Sequence, residues 1–561
     1  MKTDFVAVLQ DLAEVREVPL KGIKISSTGG EPGAEMADAE AEPVYGPRVR
    51  DDIQGNIIPG FNKDHQHFLF FKLGSAKAAR VWLRWLTPRI SSMDEVLAFV
   101  RAHRSLRLKL GVREPGLKAT WVNVAFSYEA IAKLAGRDQA DAFDERSFRQ
   151  GLAERSAHLG DPEDPNAPGH RANWVVGGPE NEAEILVIVA SDDSDDLAEM
   201  VDVITQEATQ ARMELVFEQL GRTLPGSLRG HEHFGFKDGI SQPGIRGRVS
   251  SAPGDFITPR YVNAADPHAG IFAKPGQMLV WPGQFLLGER RQNTESMTAS
   301  APAASNFPKW ARRGSYVVCR RLLQDVPAFL QFVADAAATL GLPEVRVASM
   351  LVGRWPSGAP LMRVPDADDP VLAGDEFANN HFLFDDDTRP SGLRPIPGYA
   401  GDSHPAARAD VLGAVCPHFA HIRKVNPRDV ATDLGKPADG LLRMILRRGI
   451  PFGSPLAGVK KPSRKLVAQE RGLVFLCYGS SIEDQFEFLT RRWANSTIQP
   501  NLGGHDPIIG QEGREPRARV VDFPTPAGPV RLHLKREWVT VTGGGYFFAP
   551  PISAITDVLG S

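Results

Sequence analysis

Three short segments of the 561-residue chain combine residue types that can do proton-transfer, ligand or charge-stabilising chemistry. The first, HEHFGFKDGISQPG, sets Asp238 directly before Gly239, with Phe234, Phe236 and Ile240 close by. A carboxylate among aromatic residues can serve as a general base held out of bulk water, and Gly235 and Gly239 would let another group approach it. A plain turn would account for the G-x-x-D-G pattern as well. His231 and His233 are the rival bases nearby, each otherwise a surface or satisfied core histidine.

The second segment, CPHFAHIRKVNPRD, places His421 between Ala420 and Ile422. A lone histidine in an apolar setting is usually structural, yet a haem iron needs just such a neutral imidazole. Arg423, Lys424 and Arg428 follow it and would suit the haem carboxylates. His418 is the competing ligand, although Pro417 before it disfavours regular helical placement. The third segment, ILRRGIPFG, carries Arg447 and Arg448 after an apolar stretch and before Gly449 and Pro451. They read either as a solvated pair at an element's end or as one inward guanidinium that stabilises developing negative charge.

These residues must be positioned by something larger than one small core, and two or three domains is the expectation for this length. HFLFFKL (67–73), TWVNVAFS (120–127), AEILVIVAS (183–191) and MELVFEQLG (213–221) read as strands. AKAARVWLRWL and a segment near 195–211 read as helices between them. The second half repeats the order with GSYVVCRRLL, the helix VPAFLQFVADAAATLG, the strand GLVFLCYGS and the helix SIEDQFEFLTRRWANS. In that last helix Ile482, Phe486, Leu489 and Trp493 share a face. WVTVTGGGYFFAPP closes the chain as strand, Gly-rich turn and strand. The expectation is an α+β protein of two ferredoxin-like halves, antiparallel sheets with helices packed on them. Residues 1–50, acidic and poor in large apolar groups, are expected to be a flexible extension behind a short amphipathic helix. Residues 51–270 would form the N-terminal domain with the G-x-x-D-G motif, and 271–561 the C-terminal domain.

A formal net charge of −3 argues against nucleic-acid binding. Cys319, Cys416 and Cys477 are odd in number and far apart, which suggests neither a disulfide framework nor a zinc site. No apolar run approaches a membrane span, and Asp4 and Asp11 interrupt any signal-peptide core, so a cytoplasmic location is expected.

Taken in order, IQGNIIPGF, FGFKDGISQP, AHIRKVNPR, ILRRGIPFG, FLCYGSSIEDQFEF and VTGGGYFF resemble the dye-decolorizing peroxidase family, over about residues 51–552. The length and the 341–410 insertion look more like its larger, fungal-like members, whereas Gly449 stands where some bacterial members carry Asn. The resemblance implies haem b in the C-terminal half, hydrogen peroxide as oxidant and an aromatic, dye-like reducing substrate. It makes Asp238 the distal acid–base group, Arg447 the distal charge stabiliser (Arg448 if the register slips) and His421 the iron ligand. Leu473 and Phe475 would line the distal pocket. Glu487, with Asp484 as fallback, would hydrogen-bond the proximal imidazole, and Arg423 and Arg428 would contact the haem carboxylates. Tyr478, Trp493, Trp538 and Tyr546 are core residues or surface relays for electrons from bulky reductants. Sheet edges of this kind often pair, which makes a homo-oligomer possible without fixing the oligomeric state. A non-catalytic haem carrier is the competing reading; it would have no use for Asp238 together with Arg447. Because a free aspartate titrates near ~4 and a histidine near ~6.5, turnover should be best in acid. A rate rising steadily towards pH 8 would exclude Asp238 as the base or reveal a later limiting step.

Overall fold

Strands buried on both faces explain the unbroken apolar runs in the sequence. The computed structural model describes residues 42–110, 116–389, 391–396, 398–456, 463–514 and 518–561, apart from the side chains of 107–110. In β1 (His65–Lys72), Leu69 and Phe71 face one way and meet Trp82, Leu83, Leu197, Val201 and Ile204. Those partners come from the helices α1 (Ala76–Leu86) and α2 (Ser194–Gln210). Phe68 and Phe70 face the other way, into a second core. The same period-two alternation runs through β2 (Thr120–Phe126) and β3 (Ile185–Ser191). The helices begin where the sequence offers caps: Ser75 accepts from the Ala78 N–H, and Asp193 accepts from the N–H groups of Asp195 and Asp196.

With β4 (Glu214–Arg222), the N-terminal strands lie in the order β2–β3–β1–β4, all antiparallel. The C-terminal half uses β5 (Ser315–Gln324), the short β6 (Leu446–Arg447) and β7 (Ile450–Phe452), β8 (Gly472–Gly479) and β9 (Val539–Ala549). Here β6 and β7 both pair with β8, and the order continues β8–β5–β9. Both halves therefore share one order of strands, which is the ferredoxin-like arrangement. They join through the single pairing of Phe548 with Phe126. The two halves also share a core: Phe68, Phe70, Leu186 and Ile188 pack with Val317, Cys319, Leu476 and Phe547. At the far edges the sheet curls back on itself, since a Cβ on Gly221 of β4 would lie 2.3 Å from Ile450 of β7.

Three expectations change. The closing VTVTGGGYFF is one strand with a bulge between Val541 and Gly543, and no turn interrupts it. The glycines serve close backbone approach: a Cβ on Gly544 would lie 2.0 Å from the Cys319 carbonyl oxygen. Residues 42–50 are docked, in contrast to the expected extension. Glu42 pairs with Arg260 at 2.7 Å, Tyr45 is buried, and a helix starts at Pro47. The expected helix before them lies outside the described residues. The segment 482–494 is helical as expected but wound in wide, π-type turns; Ile482, Phe486, Leu489 and Trp493 are all buried. No single helix among the described residues is long and apolar enough to cross a membrane.

The tightest approach between loop and sheet is at Gly177, where φ is +76° and a Cβ would stand 1.7 Å from the Gly544 oxygen. Gly177→Ala should destabilise the protein by roughly 2–4 kcal/mol, read as a lower denaturant midpoint. An unchanged midpoint would mean that this segment does not dock on β9.

Candidate active site

The loop after β4 and the strand pair β6–β7 bring Asp238 and Arg447 together from 209 residues apart. Arg447 Nη1 donates to Asp238 Oδ1 at 2.7 Å, and Nη2 donates to the Ser241 carbonyl at 2.9 Å. Gln242 fixes the strand itself, with its Nε2 donating to the Arg447 carbonyl at 3.1 Å. Gly239 N–H donates to Asp238 Oδ1 at 2.6 Å, and both Gly235 and Gly239 have left-handed φ, +95° and +78°. Burial opposes ionisation of Asp238, but the charge and hydrogen bond of Arg447, with the Gly239 N–H, outweigh it. The carboxyl is thereby held below its ordinary value. Its side chain is 44% accessible and borders two cavities.

Arg448 points the other way. Its Nε donates to the Asn56 carbonyl and its Nη2 to those of Ile57 and Pro59, each at 3.0 Å. Gly60, at φ +103°, leaves room for this guanidinium, because a Cβ there would lie 2.2 Å from Arg448 Nε. The IQGNIIPGF segment thus works as the cradle of Arg448. Alternation along an extended segment is what sends neighbouring arginines to opposite sides.

A cavity of about 280 Å³ lies between Asp238 and Arg447 on one side and His421 on the other. His421 opens the helical turn His421–Val425. Its Nδ1 lies 2.8 Å from Asp506 Oδ2, and Nε2 has no hydrogen-bond partner among the described residues. Asp506 is fully buried and also accepts the N–H groups of Ile508 and Ile509 through Oδ1, at 2.9 and 3.0 Å. Burial works against the charged imidazole, but the Asp506 charge and hydrogen bond outweigh it and raise the His421 pKa. The acceptor at Nδ1 fixes the tautomer that leaves the Nε2 lone pair towards the cavity.

Among the expected residues, Leu473, Phe475 and Arg428 line this cavity, with Phe486, Ile508 and Ile509. Three assignments are corrected. Glu487 does not reach His421; its Oε1 accepts from Arg155 Nε at 3.0 Å and from the Tyr546 hydroxyl at 2.9 Å. The fallback Asp484 lies at the surface beside Arg443. Arg423 is committed elsewhere: Nη1 donates to the Cys416 carbonyl at 2.8 Å and to Asp410 at 3.2 Å, and the side chain is 1% accessible. Two positions along a helical turn rotate a side chain by about 200°, so Arg423 faces away from His421's side. The rival histidines are occupied. His418 has backbone carbonyls at both ring nitrogens, 3.0 and 3.1 Å away. His233 is buried with Nε2 at 2.8 Å from the Phe452 carbonyl, and burial pushes its pKa down to about 4. His231 packs on the Arg229 carbonyl at 3.3 Å.

Sequence reasoning missed Asp506, which sits in NLGGHDPIIG with no signal beyond a turn, and Arg354. Arg354 lines the cavity next to Arg428, and both donate to Asn380 Oδ1, at 2.9 and 2.7 Å. Neither guanidinium pairs with a carboxylate among the described residues; their other acceptors are backbone carbonyls. Burial pushes the Arg354 pKa down to about 10 and the Arg428 pKa to about 9. Two buried cations without a counter-charge are costly unless an anion joins them. Haem fits this site on three counts: an imidazole nitrogen aimed into the cavity, apolar walls, and paired guanidiniums for its carboxylates.

Residues 52–223 match the model of the family described as the DyP dimeric alpha+beta barrel domain. A dye-decolorizing peroxidase of Mycetinis scorodonius is 31% identical over 532 residues, covering 91% of this chain and 87% of that protein. A multifunctional dye peroxidase from an Amycolatopsis species is 28% identical, covering 91% and 95%. The solved structure of an ancestral D-type dye decolorizing peroxidase superposes with a TM-score of 0.71 at 31% identity, covering 91% of this chain and 99% of that one. A sheet of two like halves, a cavity fit for haem and relatedness along nine-tenths of the chain agree. The chain belongs to the dye-decolorizing peroxidase family, haem enzymes that use hydrogen peroxide.

Proposed function

We propose that the chain holds haem b through His421 and reduces hydrogen peroxide with Asp238 as the acid–base group and Arg447 as the charge stabiliser, oxidising aromatic, dye-like reductants. The 2.7 Å contact between Asp238 and Arg447 above the free face of His421 carries this reading. The overall reaction takes one peroxide and two molecules of a phenol-type reductant to two waters and two phenoxyl radicals. When bound, the haem supplies the iron at which the O–O bond is broken and the store of oxidising equivalents.

The chain's own groups do the rest. Asp238, ionised, accepts the proton from the near oxygen of peroxide and returns it to the leaving oxygen, which departs as water. Arg447 stabilises the negative charge that develops on that oxygen, and its bond to the Ser241 carbonyl keeps it aimed there. Asp506 accepts the Nδ1–H of His421, orients the ring and raises its basicity as a ligand. Arg354 and Arg428 hold the haem carboxylates, and Leu473 and Phe475 keep water from the reacting face.

Asp238→Asn should bind haem normally and slow the reaction with peroxide by about 10²–10⁴-fold, measured by stopped-flow absorbance. Arg447→Leu reports on the base separately. In the wild type the carboxyl is held below its ordinary value, so activity persists into acid and is lost as pH falls through that lowered pKa. Without Arg447 burial dominates, the pKa rises, and the acid limb of the rate profile should move to higher pH. A stationary limb would assign it to another group. Asp506→Ala should weaken haem retention about 10–100-fold and alter the absorption spectrum; a spectrum and affinity like the wild type would remove Asp506 from the ligand's support.

A further inference from the structure

We propose that Lys424 is a positioning residue for the haem ligand: its buried ammonium acts on Asp506 and, through it, sets how strongly His421 donates to the iron. The inference rests on the assignment of His421 as that ligand and adds a third member to the His421–Asp506 pair.

The helical turn His421–Val425 carries both the histidine and the lysine. Three positions along a helix rotate a side chain by about 300°, so Lys424 lies on nearly the same side as His421, whereas Arg423 does not. Lys424 is 0% accessible and lines neither of the cavities that Asp238 borders, so it is no partner for the haem carboxylates. Its Nζ donates to the Ser496 carbonyl at 2.6 Å and also to the Gln499 carbonyl. Asp506 hangs on the same stretch of chain, since its own N–H donates to the Ala494 carbonyl at 2.9 Å. Ammonium and carboxylate are thereby neighbours, and the Asp506 charge acts on Lys424.

A tie for the loop at 496–499 needs no charge. A buried ammonium bonded to carbonyls is costly, and a neutral donor could hold the same oxygens. The nearby anion offsets that cost. Burial pushes the Lys424 pKa down to about 8, and the Asp506 charge opposes the fall, so the lysine is cationic at neutral pH. That cation in turn acts on Asp506. The carboxylate accepts the Nδ1–H of His421 at 2.8 Å, and the stronger its pull, the more the ring resembles an imidazolate. A cation beside Asp506 draws on the same negative charge and weakens the pull. Lys424 thus moderates the ligand that Asp506 strengthens, and the reduction potential of bound haem is higher than the His421–Asp506 pair alone would set.

The test uses the haem-loaded full chain and reads its Fe(III)/Fe(II) midpoint potential by spectroelectrochemistry at about pH 6, where the lysine is charged. Lys424→Gln removes the charge and keeps an N–H donor for the carbonyls. Lys424→Met removes the charge and keeps the length of the stem. Two neutral variants keep the test available where one fails to fold. Each should shift the equilibrium about tenfold towards Fe(III), a fall of about 59 mV for one electron. Loss of a positive charge and a stronger pull by Asp506 act in the same direction. The ferrous Fe–His421 stretch in resonance Raman should rise with it, which a merely loosened loop would not produce. In an Asp506→Asn background, Lys424→Gln should shift the potential by less. A wild-type potential in either folded neutral variant would reduce the lysine to a loop tie and overturn the proposal. So would an undiminished shift in the Asp506→Asn background, since Lys424 would then not act through Asp506. Wild-type protein whose ferrous spectrum lacked the histidine band would instead sink His421 as the ligand, and this inference with it.

Discussion

A carboxylate from the N-terminal half and a guanidinium from the C-terminal half meet at 2.7 Å, and their contact depends on the sheet being continuous. Asp238 follows β4, at one edge of the sheet, and Arg447 lies in β6, at the other. Only because the sheet curls until β4 meets β7 do the two edges face one another. The shared inner core keeps that curvature, since Phe68 and Phe70 of one half pack with Val317, Cys319 and Leu476 of the other. Buried apolar surface contributes in proportion to its area, so a core shared this widely resists any hinge between the halves. The contact between Asp238 and Arg447 is in this sense a product of sheet closure.

Burial and charge are balanced differently on the two sides of the cavity. On the Asp238 side, Arg447 cancels the carboxylate's charge and keeps it ionised. On the His421 side, Asp506 is itself steadied by two backbone N–H groups, so that it can afford to accept from the imidazole. Around the rim, Arg354 and Arg428 remain charged without an anion of their own. Burying such cations is costly, and the proposed haem carboxylates would supply the missing counter-charge.

Close backbone approach is the other recurring device. Gly544 lets β9 lie against the Cys319 carbonyl, and Gly60 lets the IQGNIIPGF turn wrap the Arg448 guanidinium. Holding Arg448 in that cradle leaves Arg447 as the one of two adjacent arginines that pairs with Asp238. A loop far from Asp238 in sequence thereby selects which arginine the carboxylate meets.

The sequence by itself determined the strands and helices, because period-two and helical patterns of apolar residues are local. It also marked Asp238, His421 and Arg447, through motifs in which glycine, proline and charge recur in a fixed order. It could not decide which acid supports His421. Glu487 and Asp506 are both carboxylates near enough along the chain, but only Asp506, 85 residues from the histidine, folds back to it. Nor could it separate Arg423 from Arg354, because direction around a helical turn and distance across a cavity are absent from local pattern. The docking of residues 42–50 was hidden for the same reason: Glu42 finds its partners Arg246 and Arg260 more than 200 residues away. Local physics writes the elements, whereas the partner of a charged side chain is set by whichever opposite charge the packed core brings within reach.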